Sequence, residues 1–225
     1  MPLVGTICCK TGEPETFDHC MKCATTGTPH ECDYPFFLIN AMRKNRSSRE
    51  GAGLSATTIQ QCDRFTRLSE EYDYHESPDM FKARFRGTII HGGIEEFTTG
   101  VDDVISEKRF YRDIEVPRVD EDGEVYYETH TLSGKMDIVH TNWKGKAKIA
   151  DVKSGGSRAL REGMQPLDSH TEQVNIYRWL LKGGWFEEPV HSSAVGYQAI
   201  RKTVDIDVNS AVIWYIGDTN LQEVE

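Results

Sequence analysis

Asp137, Asp151 and Lys153 are the residues whose types and spacing point most directly to chemistry. They lie in the stretch SGKMDIVHTNWKGKAKIADVKSGG, where two runs of β-type residues flank Trp143-Lys144-Gly145. The spacing predicts a hairpin with a three-residue loop and Gly145 in the left-handed conformation that such loops require. Asn142 then faces Lys146, and counting outward sets Asp137 opposite Asp151 and Lys135 opposite Lys153. Because side chains alternate across a strand, Asp137, Asp151 and Lys153 emerge on one face. Facing carboxylates repel unless one takes up a proton or a cation lies between them. A hard divalent ion such as Mg²⁺ is held by one or two carboxylates together with waters and substrate phosphates. A lysine two residues beyond Asp151 can orient the attacking water or stabilise charge on a phosphoryl oxygen. That is metal-dependent phosphodiester hydrolysis. A lone D/E-x-K triplet arises by chance roughly once or twice in a chain of this size, as the polar face of an ordinary strand. The weight here comes from Asp137 in register and from the apolar opposite face of Met136, Ile138, Ala150 and Val152.

The elements that must position these groups are legible on either side. Ser55 is a candidate N-cap for a first core helix through Tyr72, with Ile59, Cys62, Phe65 and Leu68 recurring at helical intervals. After Ser77-Pro78, a second helix from Asp79 to Thr98 places Ile90, Ile94 and Phe97 on one stripe, with His91 and Glu95 one turn apart. From Asp103 to Lys153 the chain is rich in Val, Ile, Tyr and Thr, with turn signals at Asp122-Gly123 and Lys144-Gly145, which predicts three antiparallel strands. Asp120-Glu121-Asp122-Gly123 fails as a calcium loop because Val125 stands where glycine is needed, and reads as a hairpin turn. Pro166 to Lys182 returns to helical spacing, with Val174, Tyr177 and Leu181 on one face and Gly183-Gly184 as the stop. Strands near Ser192–Ile200 and Ala211–Ile216 follow. The order predicts an α/β (α+β) fold, a central sheet covered by helices.

The ordered residues resemble the PD-(D/E)XK nuclease superfamily, and within it the RecB-like branch that includes CRISPR-associated and phage exonucleases. His91 in GTIIHGGIEEF is similar to the branch's helical histidine, Asp137 in GKMDIV to its first aspartate, and Asp151 with Lys153 in IADVKSG to its D-x-K element. Gln173 and Tyr177 in TEQVNIYRWLL are similar to its Q-x3-Y motif, and the match runs from about Leu54 to Ile200. The resemblance implies a restriction-endonuclease-like core with a central mixed sheet flanked by helices. It implies that His91, Asp137, Asp151 and the Val152 carbonyl ligate Mg²⁺ or Mn²⁺, that Lys153 assists the water, and that Gln173 and Tyr177 hold Lys153 or the DNA backbone. Residues i and i+4 share a helix face, so the last two can reach one point; the alternative is a polar position beside a core tyrosine. Glu107, at the start of the first strand where the branch often carries an acid, and Glu95 are further candidates, with solvated surface the alternative for both. The implied activity is a DNA nuclease, an exonuclease of recombination, repair or phage DNA processing, with DNA and a helicase or recombination protein as partners. The alternatives are a catalytically silent nuclease-like subunit that binds nucleic acid or serves assembly, and a zinc-binding adaptor.

Five of the six cysteines fall in the first 32 residues, a stretch with little hydrophobic periodicity that something other than a core must hold. Cys20 and Cys23 form a CxxC knuckle, with Cys9 upstream and Cys32 downstream, a set suited to structural Zn²⁺ or, alternatively, an iron–sulphur cluster, with unmetallated thiols as the third alternative. Cys8 can replace Cys9. Many RecB-like nucleases hold a cluster with one cysteine before the histidine motif and three after the Q-x3-Y motif; Cys62 matches the first, but no cysteine follows it, and Cys62 reads as a buried thiol. The basic Ser/Gly-containing segment from Arg43 to Gly53 marks a boundary between a Cys-rich extension (1–50) and the nuclease domain (51–225). The 225 residues carry a net charge of -10, with mean hydropathy -0.54. Bulk coating of nucleic acid is therefore excluded, and local basic groups (Arg43, Lys44, Arg46, Arg49, Lys82, Arg84, Arg86) or a bound cation must meet any polyanion. No apolar run is long enough to span a bilayer and no export signal opens the chain, so a cytoplasmic location with reduced thiols is expected. The loop Ser154 to Arg158 after Lys153 suits backbone contact with phosphate.

Overall fold

The structure is a computed structural model and describes residues 3–29, 31–44, 54–154, 166–192, 196–216 and 221–224. The chain divides into two compact units, residues 1–52 with 61–89, and 53–60 with 90–225.

The first unit contains β1 (Leu3–Ile7), β2 (Pro14–Thr16), α1 (Phe17–Thr26), α2 (Phe36–Lys44), α3 (Asp63–Glu71), β3 (Tyr74–Glu76) and the first part of α4 (Pro78–Thr98). β1 pairs antiparallel with β2 and parallel with β3. Thr16 caps α1, its hydroxyl accepting the His19 N–H, and Gly27 ends the helix at φ 68°, a left-handed cap that glycine adopts without Cβ strain. Leu3, Phe17, Cys20, Leu38, Ile39, Met42 and Phe81 form its core.

The expected first core helix from Ser55 to Tyr72 is replaced by two pieces. The Ser55 hydroxyl accepts the Thr58 N–H and closes a single 3-10 turn, Thr58–Gln60, while α3 begins afresh after Cys62. Leu54 and Ala56 bond through their backbones to Ser133, and this pairing with a strand holds the segment out of a helix. Ile59 and Leu68 are exposed, and Cys62, expected buried, is exposed as well.

The second unit is built on a seven-stranded mixed sheet in the order β10-β9-β6-β5-β4-β7-β8. Its strands are β4 (Val104–Val119), β5 (Val125–Trp143), β6 (Lys146–Ser154), β7 (Lys182–Ser192), β8 (Gly196–Asp205), β9 (Val208–Ile216) and β10 (Leu221–Val224), with α5 (Asp168–Leu181) between β6 and β7. The pair β6–β9 is parallel and its other pairings are antiparallel. One apolar layer joins Phe110, Leu132, Met136, Val139 and Ile149 to Tyr177, Leu180 and Leu181 of α5. A second joins Ile138, Ala150 and Val212 to Ile94 of α4, so helices flank the sheet as expected. Phe97, expected on the same stripe as Ile94, is exposed. Sheet content after α5 exceeds the sequence reading: Leu181 passes directly into β7, where Gly183 takes φ 82° and a Cβ on Gly184 would meet the Leu180 carbonyl at 2.1 Å. Among the described residues no helix is long and apolar enough to cross a membrane.

The β5–β6 turn differs from the expected three-residue loop. Trp143 pairs with Lys146, which leaves Lys144 and Gly145, at φ 52° and 78°, as a two-residue turn of the twist-matched type. An irregularity between His140 and Trp143 then inserts the extra residue. The two deviations cancel: Ile138 pairs with Ala150, and the next step brings Asp137 level with Asp151, as the sequence count gave.

Candidate active site

Five elements of the second unit converge at the point where the β5–β6 ladder opens. The last backbone pair there is Ile138 with Ala150; beyond it the Val152 N–H is donated at 2.6 Å to Asp137 Oδ2, a side-chain oxygen in place of a carbonyl. Asp137 is thereby locked into the sheet with Oδ1 turned to His91 Nδ1, at 3.2 Å. His91 comes from the second-unit part of α4 and also lies 2.9 Å from Glu107 Oε1.

Glu107 enters from β4 in an unusual way. It falls between the pairs Ser106–Ile138 and Lys108–Met136 with φ 51°, left-handed backbone that a side chain with a Cβ adopts at a cost of about 1 kcal/mol or more. The pleat is interrupted opposite it: Met136, expected beside Ile138 and Ala150, packs in the α5 layer instead. Glu107 is thus held in contact with both His91 and Lys135, whose Nζ lies 2.5 Å from Oε2. Lys135 pairs with this acid rather than standing over Lys153.

Asp151 is buried to 1% exposure, and Lys153 Nζ lies 2.9 Å from its Oδ2 as an ion pair. Lys153 also donates to Gln173 Oε1 at 2.7 Å, and Gln173 Nε2 donates to the Tyr177 hydroxyl at 2.7 Å. Both partners are on α5 one turn apart. A Cβ at Gly134 would lie 2.8 Å from Tyr177 Cε1 and Leu180 Cδ1, so the bare glycine on β5 is what admits α5 at this depth.

The electrostatics are those of a cation site. Asp137 first, then Glu107, raise His91 to about 10, so its ring is an imidazolium near neutrality. Burial alone would push Glu107 up, but His91 and Lys135 outweigh it and hold the carboxyl below its usual range. Burial pushes Asp151 up, Lys153 opposes, and Asp137 adds to the rise. Burial likewise raises the Tyr177 hydroxyl, with Asp151 and Asp137 contributing. His91, Glu107 and Asp137 each bring a ligand atom within 4.8 Å of the other two. Asp151 is outside that group, and Val152 enters the site through its N–H. The donor set, one imidazole and carboxylates with the buried Asp151 carboxylate alongside, fits a hard divalent cation of the Mg²⁺ or Mn²⁺ kind.

The structure therefore brings together His91, Asp137, Asp151, Lys153, Gln173 and Tyr177, and raises Glu107 from a marginal candidate to a full member. A count from the β4–β5 turn, where Val119 pairs with Val125, sets Glu107 opposite Asp137 and was the signal available for it. Glu95 is exposed and outside the group. His170, given no role from sequence, lies 2.8 Å from the Tyr215 hydroxyl, and burial followed by Lys153 lowers its pKa. The loop 155–158 and residues Arg46 and Arg49 lie outside the described residues. Of the remaining basic candidates, Lys82 pairs with Asp79, Arg84 with Glu76 and Arg43 with Asp18.

In the first unit, Cys8, Cys9, Cys20, Cys23 and Cys32 line one cavity of about 10 Å³. Cys9 Sγ and Cys32 Sγ are 3.8 Å apart, and the Asp33 N–H points at Cys9 Sγ at 3.4 Å. Burial pushes the Cys20 thiol up to about 12, with Cys8, Cys32 and Cys23 adding to the rise. These sulfurs do not form a group as compact as that of His91, Glu107 and Asp137.

Comparison with known proteins gives three findings. The family model for the PD-(D/E)XK nuclease superfamily matches residues 102–222, just over half of the chain. No curated protein matches. Among solved structures, the chain is similar to one described as "Crystal structure of SSO0001", at 21% identity and TM-score 0.48, over 83% of this chain and 71% of that one.

Proposed function

Since this chain belongs to the PD-(D/E)XK nuclease superfamily, whose members are usually nucleases, we propose that it is a DNA nuclease that hydrolyses phosphodiester bonds at the β5–β6 opening. The reading extends to the RecB-like branch and to an exonuclease of recombination, repair or phage DNA processing, supported by the ordered set His91, Asp137, Asp151-x-Lys153 and Gln173-x3-Tyr177. In its domain form, residues 51–225 are the nuclease domain, and residues 1–50 are an extension holding a metal on Cys9, Cys20, Cys23 and Cys32.

The observation that carries the reading is the meeting of His91, Glu107 and Asp137 within 4.8 Å, next to buried Asp151 and its Lys153. His91, Glu107, Asp137 and Asp151 are the residues that would hold Mg²⁺ or Mn²⁺, with the Val152 carbonyl as a further oxygen. Such an ion, when bound, neutralises phosphate charge and acidifies a water. Each residue has a separable task. Asp137 Oδ1 and Glu107 Oε1, both turned to His91 Nδ1, are the oxygens that would be offered to the ion, while Asp137 Oδ2 accepts the Val152 N–H and keeps the strand in place. Lys153, held by Gln173 and Tyr177, directs its ammonium at the attacking water and at the charge developing on the phosphoryl oxygen. The water oxygen gives up a proton to bulk solvent as it forms the new bond to phosphorus, the P–O bond to the leaving strand breaks, and the leaving oxygen takes a proton from solvent.

The test is cleavage of linear single- and double-stranded DNA in Mg²⁺ or Mn²⁺. Asp151→Ala and Lys153→Ala each lose activity while far-ultraviolet circular dichroism is unchanged. Activity unchanged from the parent chain in both variants would remove the mechanism. DNA binding without cleavage in the parent chain would turn the reading to a silent nucleic-acid-binding subunit.

A further inference from the structure

The thiol cavity of the first unit is narrower in its demands than the sequence alone suggests. Three separate elements deliver the sulfurs: the β1–β2 turn carries Cys9, α1 carries Cys20 and Cys23, and the segment before α2 carries Cys32. The turn is fixed by its own backbone, with Cys8 N–H on Glu13 O at 2.8 Å and Gly12 N–H on Cys8 O at 2.9 Å. Cys20 and Cys23, three apart on one helix, project to the same side.

We infer that Cys9, Cys20, Cys23 and Cys32 hold a single zinc ion, not an iron–sulphur cluster, and that this ion ties the β1–β2 turn, α1 and the Cys32 segment together. The inference narrows the cysteine-held metal of the proposed function and takes that reading as its starting point.

Three observations select one ion. Zinc–sulfur bonds of about 2.3 Å in a tetrahedron set neighbouring sulfurs about 3.8 Å apart, and Cys9 Sγ and Cys32 Sγ are already separated by 3.8 Å. Two thiols in mutual contact can reach the same spacing, so the distance needs a companion. It has one: the Asp33 N–H is aimed at Cys9 Sγ at 3.4 Å, and the Tyr34 N–H at Cys32 Sγ. Backbone donors on both sulfurs suit thiolates, and orienting donors of this kind are what surrounds ligand atoms in metal sites. The third observation is size. A cavity of about 10 Å³ accepts one atom, whereas a cluster of several irons and sulfides would force the turn and α1 apart. Cys9 is taken as the fourth ligand on its own contacts with Cys32 and the Asp33 amide. Closure of the site needs the Cys20 and Cys23 sulfurs to swing toward the Cys9–Cys32 pair by side-chain rotation. A unit whose core is Leu3, Phe17, Cys20, Leu38, Ile39, Met42 and Phe81 is small enough to need such a staple.

The measurement is metal content and the visible spectrum of the full chain purified anaerobically without added metal. The expected result is about one zinc per chain with no visible colour, and after replacement by Co²⁺ the strong absorption of a tetrahedral thiolate site. Cys9→Ser and Cys32→Ser lose the ion, and Cys62→Ser keeps it. The cobalt spectrum of the parent chain reads the ligand type even where a serine variant fails to fold. Iron with acid-labile sulfide overturns the inference. So does zinc retained in Cys9→Ser but lost in Cys8→Ser, or a metal content insensitive to the cysteines. Zinc content is unchanged in Lys153→Ala. A parent chain that carries the zinc but does not cut DNA leaves this site standing and removes only the nuclease reading.

Discussion

Gly134→Ala reports whether the seat of α5 on β5 governs the site. The added Cβ would lie 2.8 Å from Tyr177 Cε1 and Leu180 Cδ1 and 3.0 Å from Tyr177 Cδ1, against the roughly 3.5–4.0 Å at which carbon atoms rest. Tyr177 and Leu180 are both buried, so neither side chain can swing into solvent. The helix must yield by about 1 Å, or the core must take the strain, at about 1–3 kcal/mol in either case. Gln173 rides on the same helix, so a 1 Å retreat of α5 lengthens its 2.7 Å contact with Lys153 beyond hydrogen-bonding range. Lys153 then loses the support that aims it. Misplacement on that scale costs up to about a hundredfold in rate. Urea unfolding followed by Trp fluorescence reads the first effect, and single-turnover cleavage the second. Leu180→Ala added to Gly134→Ala restores part of the room, and the double variant should recover rate relative to Gly134→Ala alone. Wild-type stability and rate in Gly134→Ala would show that α5 does not lie as close as described and refute the argument.

Other expectations follow from the same contacts. His91 is raised to about 10, so its contribution to metal-free stability is complete below its ordinary value of 6.5 and declines as pH rises toward 10; denaturant midpoints across that window should fall, and His91→Gln should flatten the dependence. A cation must displace the same proton, so Mn²⁺ affinity measured by calorimetry should rise about tenfold per pH unit between pH 6.5 and 8.5, and a flat profile would remove His91 from the ligand set. Glu107→Gln should weaken Mn²⁺ binding by about tenfold or more with little change in fold; unaltered affinity would return Glu107 to a structural role. At the β5–β6 turn, Lys144→Asn places the residue preferred before glycine where φ is 52° and should stabilise by about 0.5 kcal/mol in urea melts.

The strand pair and its carboxylates were legible because alternation and turn chemistry act locally. The count from Gly145 mistook the turn, yet it kept Asp137 level with Asp151, since a bulge added the residue that the shorter turn removed. The helix that carries His91 was legible from Ser77-Pro78 and its spacing. Less visible was the break after Ser55, which depends on a backbone pairing with Ser133 almost eighty residues away. Local propensity has no access to that contact. Glu107 was undervalued for a similar reason: its backbone lies in a conformation that its own type disfavours, and the surrounding strands impose it. Cys62 illustrates the limit of spacing arguments, because helical periodicity placed it inward and the helix proved to start one residue later.

Asp137 divides its two oxygens between unlike duties, one standing in for a missing peptide acceptor and the other facing His91. Alanine at this position would therefore unzip the neighbouring strand as well as silence the chemistry, and asparagine could satisfy Val152 with its carbonyl only by turning an amide donor toward His91. An inactive form intended to trap intact DNA is better made at Lys153, whose ammonium can be removed without cutting a thread of the sheet.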